Sequence, residues 1–474
     1  MAHLPQAWEF TKIVATIGPA TDTVTLLEEL LLAGMNVARL NTKHGTTDWH
    51  AERIDRIREA SVNVKKPVGI LLDLQGPEIR INLPKKQAFP VDEGEKVMFR
   101  FDFKEGVAKQ VQVPKNVIEA LKVGNQISLE DGFCEFTIVE HNGDHVMAQA
   151  ESPFTVSDRK TMNIPGITID MPSLTSDDLE KLDAAIDHPV DFIGLSFVRT
   201  KSDIADLRKE MKKRKIDAIV VAKIETQAAL DNLDEIIDAA EAVMIARGDL
   251  AVETPMEQFP FWQKEIIRRC RAQGKPVITA TQMLKSMVEN PRPTRAEVSD
   301  VATAVYDGTD AVMLSEESTI GKYPVRTVKT MRTIINYNGK HAQIKEYDKG
   351  MKSQTSAVTK MAMSLINDHL EEIQAVVVLT ETGHTAQQLA RHRPSVPVLA
   401  VTDREKTVDI LALSYGVYPV QMTFPEGKIE KVTTILDELK KNGRVKSGEK
   451  ILVIHGNVFK QPGMTNTVSL YTIE

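Results

Sequence analysis

Charged and hydroxyl residues gather at the carboxyl ends of short apolar runs, and their chemical types suit one task. Lys223 and Glu225 close the run DAIVVAKIE (217–225), and Arg247-Gly248-Asp249 closes AVMIARGD (242–249). Arg39, Asn41, Lys43 and His44 belong to or follow NVARLNT (36–42); Asp73 lies near the end of PVGILLDLQ (67–75), just before Gly76-Pro77-Glu78-Ile79-Arg80. Thr281 lies in PVITATQM (276–283), and Ser315 and Glu317 lie in DAVMLSEE (310–317). Glu225 and Asp249 can supply two hard oxygens to an octahedral Mg²⁺ or Mn²⁺ that keeps waters and substrate oxygens. Lys223 shares a strand face with Glu225, two residues on. Arg39 and Arg80 suit bidentate contact with phosphoryl oxygens. Gly248-Asp249 stands where a helix begins, and backbone N–H groups there favour a carboxylate or phosphate. Guanidinium groups, an ammonium and a divalent metal around one point match phosphoryl transfer, where catalysis is mainly positioning and charge stabilisation. The same two carboxylates would also serve a metal-dependent lyase or aldolase acting on an enolate.

These residues meet only if the runs are strands of one closed structure. With TKIVATIG (11–18) and DFIGLSFV (191–198) there are eight runs, separated by amphipathic helical stretches. Continuous apolar runs of this length are what parallel strands buried on both faces require. Thr175 with Asp178 three residues on marks one helix start, and Ser202 before DIADLRKEMKK marks another. Eight such units predict a (β/α)8 barrel (TIM barrel), whose strand ends converge on one face. The barrel spans 1–82 and 164–345. Between its halves, residues 83–163 lose the helical period and alternate in KVMFRFDF, QISLEDGFCEFTIVE and HVMAQA. They predict a small all-β domain, inserted after the third strand at the active face and placed to act as a lid. A charged stretch, 339–352, reads as a linker to a third, α/β domain over 350–474. Its helix is SAVTKMAMSLINDHL; its strands are AVVVL (375–379), VPVLAV (396–401), VYPVQ (417–421), KILVIHG (450–456) and TNTVSLYTI, with helices near 384–392, 405–414 and 427–442. Within it, Thr380-Glu381-Thr382-Gly383-His384-Thr385 has the hydroxyls and backbone amides to cradle a phosphate.

Composition narrows the function classes. With 59 basic against 66 acidic residues the net charge is −7, which argues against nucleic-acid binding. Two cysteines far apart, Cys134 and Cys270, exclude a disulfide framework or a cysteine zinc site. No apolar run reaches the roughly 18 residues needed to span a bilayer. The opening residues, MAHLPQAWEFTK, lack the apolar core of a signal peptide, so a cytoplasmic location is expected.

Longer motifs carry a family resemblance. TKIVATIGPA (11–20), GMNVARLNTKHG (34–45), LDLQGPEIR (72–80), AKIET (222–226), MIARGDLAVE (244–253), KPVITATQML (275–284), NPRPTRAEVSDVA (290–302) and AVMLSEES (311–318) closely resemble the signatures of the pyruvate kinases. The resemblance covers essentially the whole chain. It implies transfer of phosphate from phosphoenolpyruvate to ADP, giving ATP and, after protonation of the enolate, pyruvate. It implies that Lys223 neutralises the phosphoryl group in flight and that Glu225 and Asp249 hold the divalent metal. Ala246, Gly248 and Asp249 would approach the substrate carboxylate, with Thr281 beside it. Arg39 would contact the phosphoryl group, His44 and Arg80 would help Arg39 place the nucleotide, and Thr281, Ser315 and Glu317 would lie near the proton path. A homotetramer with a phosphorylated effector at Thr380, Thr382, Gly383, His384 and Thr385 is expected on the same ground, although Glu381 stands where effector-responsive members often place a lysine.

The departures are informative. The family usually reads Asn-Phe-Ser-His-Gly at 41–45 and Thr-Lys at 74–75, and uses Asn41- and Asp73-like residues with the serine and threonine to hold K⁺. Here Lys43 and Leu74 replace those two ligands. Asn41, Lys43, Asp73 and Leu74 are read as the remnant of that site, with the Lys43 ammonium bent onto Asn41 and Asp73 and K⁺ not required. Thr226 and Glu316 replace an asparagine and a glycine, Ala251 a glycine, and Thr200 a common lysine. They leave a second reading open, a weakened paralogue that senses nucleotides or sugar phosphates.

Overall fold

β-branched and aliphatic residues alternate between two destinations in the central strands, and that alternation closes them into a barrel. Val14, Leu71, Val221, Met244, Ile278 and Met313 pack inside, whereas Ile13, Ile70, Val243 and Val312 pack outward against the helices. The computed structural model describes residues 8–130, 132–167, 169–344, 353–369, 372–423, 432–456 and 464–474. The eight parallel strands are Lys12–Thr16, Val37–Asn41, Gly69–Asp73, Phe192–Leu195, Ile219–Ile224, Ala242–Ala246, Val277–Ala280 and Ala311–Leu314. They follow chain order around the barrel, and the last closes on the first with Lys12 opposite Ala311. Each of these side chains, fully buried, contributes about 1.5–3 kcal/mol.

Caps fix where the helices begin. Thr175 and Asp178 exchange hydrogen bonds across the start of Ser176–Leu182, as their spacing predicts. The helix after the fourth strand departs from expectation. Its cap is Thr200 rather than Ser202, because extended Thr200 and Asp203 form the reciprocal box and the helix runs Lys201–Arg214.

The insertion after the third strand is a β domain with a six-stranded sheet and a separate pair, Phe89–Val91 with Phe154–Val156. Edge-to-face packing of Phe99 and Phe136 at 5.3 Å centres its core. Alternation does not predict its α-helix Lys115–Ala120. The C-terminal domain has a five-stranded sheet in the order Val417–Gln421, Val398–Thr402, Ile373–Leu379, Lys450–Gly456, Thr465–Thr472, the last antiparallel. The helix expected near 427–442 is Val432–Lys441; its earlier part and residues 345–352 of the linker lie outside the described residues. No helix among the described residues is long and apolar enough to cross a membrane.

The C-terminal domain packs on the barrel end opposite the site. Lys12 donates to the Val417 carbonyl at 2.7 Å, and Arg393 pairs with Asp310 at 2.7 Å. Trp8 stacks edge-on against Tyr418, 4.6 Å between centroids, and the Gly416 N–H donates to the Phe10 carbonyl. Arg58 spans the joint, 2.7 Å from Asp191 of the barrel and 3.1 Å from Asp409 of the C-terminal domain. Burial and the neighbouring Asp191 carboxylate push the Asp409 carboxyl up to about 7, with Arg58 only partly opposing them. A carboxyl with a raised native pKa binds its proton more tightly folded than unfolded, so its contribution to stability is present at low pH and is lost as pH rises toward 7. The melting temperature of Asp409→Asn minus that of the wild type is therefore expected to increase from pH 5 to pH 8. A flat difference would mean that Asp409 titrates normally.

Candidate active site

Lys223 sits near the end of the fifth strand, within a shell of oxygens. Its ammonium lies 2.6 Å from Ser196 Oγ, 2.9 Å from Glu225 Oε1 and 3.4 Å from Asp73 Oδ1. Burial alone would lower its pKa, but Asp73, Glu225 and Asp249 outweigh burial and Arg39, and the group is held above the ordinary lysine value. It is a fixed positive charge at neutral pH, suited to electrostatic stabilisation and unsuited to proton abstraction. Arg39 lies beside it on the second strand, with Nε 2.6 Å from Asp73 Oδ2 and Nη1 donating to Thr16 Oγ1 at 3.0 Å. Asp73 thus holds both cations; burial would raise its carboxyl, but Lys223 and Arg39 bring it below the usual carboxylate range. The carboxylate fits only because residue 194 is glycine: a Cβ there would come within 2.7 Å of Asp73 Oδ1.

The sixth and seventh strands add the opposite wall. Arg247 begins the short helix Arg247–Glu253 and is pinned to Asp300 at 2.7 Å and to the carbonyls of Ala280 and Thr281. Thr281 has φ +67° and Gln282 φ +53°. A β-branched residue in that region is a genuine outlier, the kind of strain, about 1–3 kcal/mol, that collects at functional sites. The turn aims Thr281 Oγ1 at the Gly248 N–H, 2.9 Å away, so this amide is partnered within the protein and does not stand open at the helix start as the sequence suggests. Ala246 is buried beneath, at the end of the sixth strand. Ser315 Oγ, just past the end of the eighth strand, is buried with no hydrogen-bond partner among the described residues.

Glu225 and Asp249, on neighbouring strand ends, are the residues that could hold a divalent metal. Glu225 Oε2 accepts the Phe197 N–H at 2.6 Å while Oε1 faces Lys223, which fixes the carboxylate and leaves each oxygen a second lone pair. Asp249 is near enough to act on the charge of Lys223. Among the described residues no set of three His, Cys, Asp or Glu side chains converges as a metal cage. Two carboxylates, with water and substrate completing the shell, are the donor set that Mg²⁺ accepts.

Three expectations need correction. The Lys43 ammonium does not bend onto Asn41 and Asp73. It pairs with Glu78 at 2.7 Å, because Asp73 is already taken by Arg39 and Lys223; Asn41 Oδ1 accepts only the Lys43 backbone N–H. Glu317 does not face the cleft: its two carboxylate oxygens accept the backbone N–H groups of Leu284 and Ser315, clamping the seventh and eighth loops together. In the C-terminal loop, Thr380 Oγ1 accepts the Gly383 N–H and Thr385 Oγ1 bonds Thr465 Oγ1, so these hydroxyls turn inward and only Thr382 and His384 are exposed. Glu381 pairs with Arg404 at 2.7 Å. Arg80 pairs with Glu78 at the lid root, and His44 is exposed at the mouth of the cleft. Leu74 is buried under the site. Sequence reasoning missed Ser196, which donates to the Leu74 carbonyl while accepting from Lys223. Several departures have structural jobs: Thr226 and Thr200 cap helices, and Glu316 pairs with Lys285. Nothing in the structure explains Ala251.

A closed (β/α)8 barrel carrying a fixed ammonium, a tethered guanidinium and two carboxylates at one end has the make-up of a phosphoryl-transfer enzyme. Comparison with known proteins makes the class specific. Residues 8–328 match the pyruvate kinase barrel domain and residues 356–471 match the pyruvate kinase alpha/beta domain. Pyruvate kinases of Staphylococcus epidermidis and Staphylococcus aureus are 39% identical over 98% of this chain and 80% of their own. The crystal structure of a pyruvate kinase from Cryptosporidium parvum superposes with a TM-score of 0.89 at 29% identity, covering 98% of this chain and 96% of its own. The chain belongs to the pyruvate kinase family, phosphotransferases of class EC 2.7.1.40.

Proposed function

We propose that this protein transfers the phosphoryl group of phosphoenolpyruvate to ADP, with Glu225 and Asp249 holding Mg²⁺ or Mn²⁺ and with no requirement for K⁺. The observation that carries the reading is the Lys223 ammonium fixed by Ser196, Glu225 and Asp73 beside Arg39. When bound, the divalent metal would offset charge on the phosphoryl and carboxylate oxygens. Arg39, held rigid by Asp73 and Thr16, contacts the migrating phosphoryl group; Lys223 neutralises the charge that develops there. Both are oriented before substrate arrives, so little reorganisation remains for the transition state. His44 and Arg80 lie on the nucleotide side, and Thr281 and Ser315 supply hydroxyls for protonating the enolate. A lyase or aldolase would have less use for Arg39 and Lys223, and a non-catalytic paralogue less for their exact charge balance. A coupled assay with phosphoenolpyruvate, ADP and Mg²⁺ tests the reading, and no turnover would refute it.

The Lys43–Glu78 pair supports independence from K⁺ by a route other than the one its sequence position suggested. Lys43 places a permanent cation at the entrance to the lid, where Glu78 also receives Arg80 and Gln75. Two cations around one carboxylate leave a surplus positive charge there, which opposes entry of a further monovalent cation. Initial rates in K⁺, Na⁺ and tetramethylammonium at equal ionic strength should agree, and a tenfold rise with K⁺ would refute this. Lys43→Ser with Leu74→Thr should create a K⁺ response.

The loop at 380–385 is proposed as the seat of an effector with a single phosphate, met by the exposed Thr382 and His384 since the Thr380 and Thr385 hydroxyls turn inward. Glu381 pairs with Arg404 at 2.7 Å and so takes up a cation that a second phosphate would need. Activation by sugar monophosphates but not by fructose 1,6-bisphosphate is the expected pattern in the coupled assay; micromolar activation by the bisphosphate would contradict it. A homotetramer is proposed as well, supported by the edge strand Thr465–Thr472, which also bears the exposed Leu470. A cytoplasmic location is proposed from the composition.

A further inference from the structure

The lid is joined to the barrel by two chain crossings that pair as an antiparallel stem. The Met162 N–H donates to the Ile79 carbonyl at 2.8 Å, Ile81 to Lys160 at 3.0 Å and Arg159 to Ile81 at 3.0 Å. A hydrogen-bonded ribbon resists bending, so the lid's position is set where the stem meets the barrel. The outgoing crossing is tied there by Glu78. The returning one is tied by Asn163, which is 7% exposed and donates through Nδ2 to Glu253 Oε1 at 3.2 Å.

Glu253 lies one helical turn after Asp249 on Arg247–Glu253, so the two share a face. That turn is fastened to the barrel by the Arg247 contacts to Asp300, Ala280 and Thr281 and by the Gly248–Thr281 bond. A group bonded to Glu253 is therefore referenced to the same rigid unit as Asp249. Beside the contact is a cavity of about 130 Å³, walled by Ile164, Ile167, Ile169 and Phe197 and bordered by Asn163 and Glu253 themselves. Burial raises the Glu253 carboxyl and the Asn163 N–H pulls it back, so the bond also steadies a carboxylate that would otherwise be poorly solvated.

We propose that Asn163 and Glu253 are a positioning pair, the seat that registers the lid on the turn carrying Asp249. The inference rests on the proposed reaction only for its kinetic arm; the structural arm needs no substrate. Hydrogen–deuterium exchange of the ligand-free protein should show faster exchange at the stem amides of 159–163 in Asn163→Ala and in Glu253→Ala, with each thermal midpoint near wild type. In the coupled assay both should raise KM for phosphoenolpyruvate about three- to tenfold while kcat changes less than twofold. The double variant should be no worse than either single one, and Glu253→Gln, which keeps the accepting oxygen, should restore most of the loss. Asn163→Asp sets two carboxylates face to face and should be worse than Asn163→Ala, a comparison that stands even if Glu253→Ala does not fold. Additive effects, no rescue by Gln, or unchanged stem exchange would overturn the proposal. If the wild type shows no turnover, the proposed reaction fails while the exchange data still decide the seat.

Discussion

Lys223→Met is expected to lower kcat by about 10³-fold while phosphoenolpyruvate binding changes little. Losing one preorganised charge at a developing transition state typically costs about 3–4 kcal/mol. The geometry adds a second cost. Asp73 and Glu225, both almost wholly buried, would keep their charges and lose the cation between them. Breaking a buried pair from one side typically costs about 3–5 kcal/mol of stability. The variant should therefore melt earlier as well as turn over slowly, and substrate titration by calorimetry below that melting point separates the two effects. A mutant keeping a tenth of the wild-type rate would remove Lys223 from the mechanism.

The second large effect is expected for Glu225→Gln, through two channels. One is loss of a metal carboxylate, which should raise the divalent-ion activation constant roughly 10- to 100-fold, the range seen for disturbed metal sites. The other follows from the hydrogen bonds. Both oxygens of Glu225 face donors, the Phe197 N–H and the Lys223 ammonium, so an amide must turn its NH₂ toward one of them. Raising Mg²⁺ should then recover part of the activity and never all of it. Complete recovery would show that Glu225 acts through the metal alone.

The architecture was legible because a barrel strand announces itself: a short β-branched run, buried on both faces, ended by a polar residue. All eight runs are strands, within three residues at either end. The lid was legible as a loss of helical period, although its helix Lys115–Ala120, only six residues long, was too short to show one. Within the site, Lys223, Glu225 and Arg39 stood out as charges in apolar runs. Ser196 did not, because a serine in DFIGLSFV reads as one more small strand residue, and only the approach of the fourth strand to the fifth sets it 2.6 Å from the ammonium. Lys43 failed for the opposite reason. Its position was right, but direction along a flexible four-carbon stem is decided by competing charges, and Glu78, thirty-five residues away, won. Asn163 and Glu253 were invisible for want of any local signal linking a lid exit to the helix of the sixth strand.

The contacts of Trp8 and Phe10 with residues 415–418 have a consequence for how the chain is made. Domains fold largely as they leave the ribosome, amino end first. Here the earliest residues synthesised among these must wait for more than four hundred others before their partners exist, since the Tyr418 hydroxyl reaches back to the Glu9 carbonyl across 409 positions. The barrel can close once its eighth strand emerges, but the lysine that opens its first strand, Lys12, is covered only when Val417 arrives. Residues 8–12 are thus among the last parts of the chain to reach their native place, and nascent chains stalled before residue 415 should leave them open to protease.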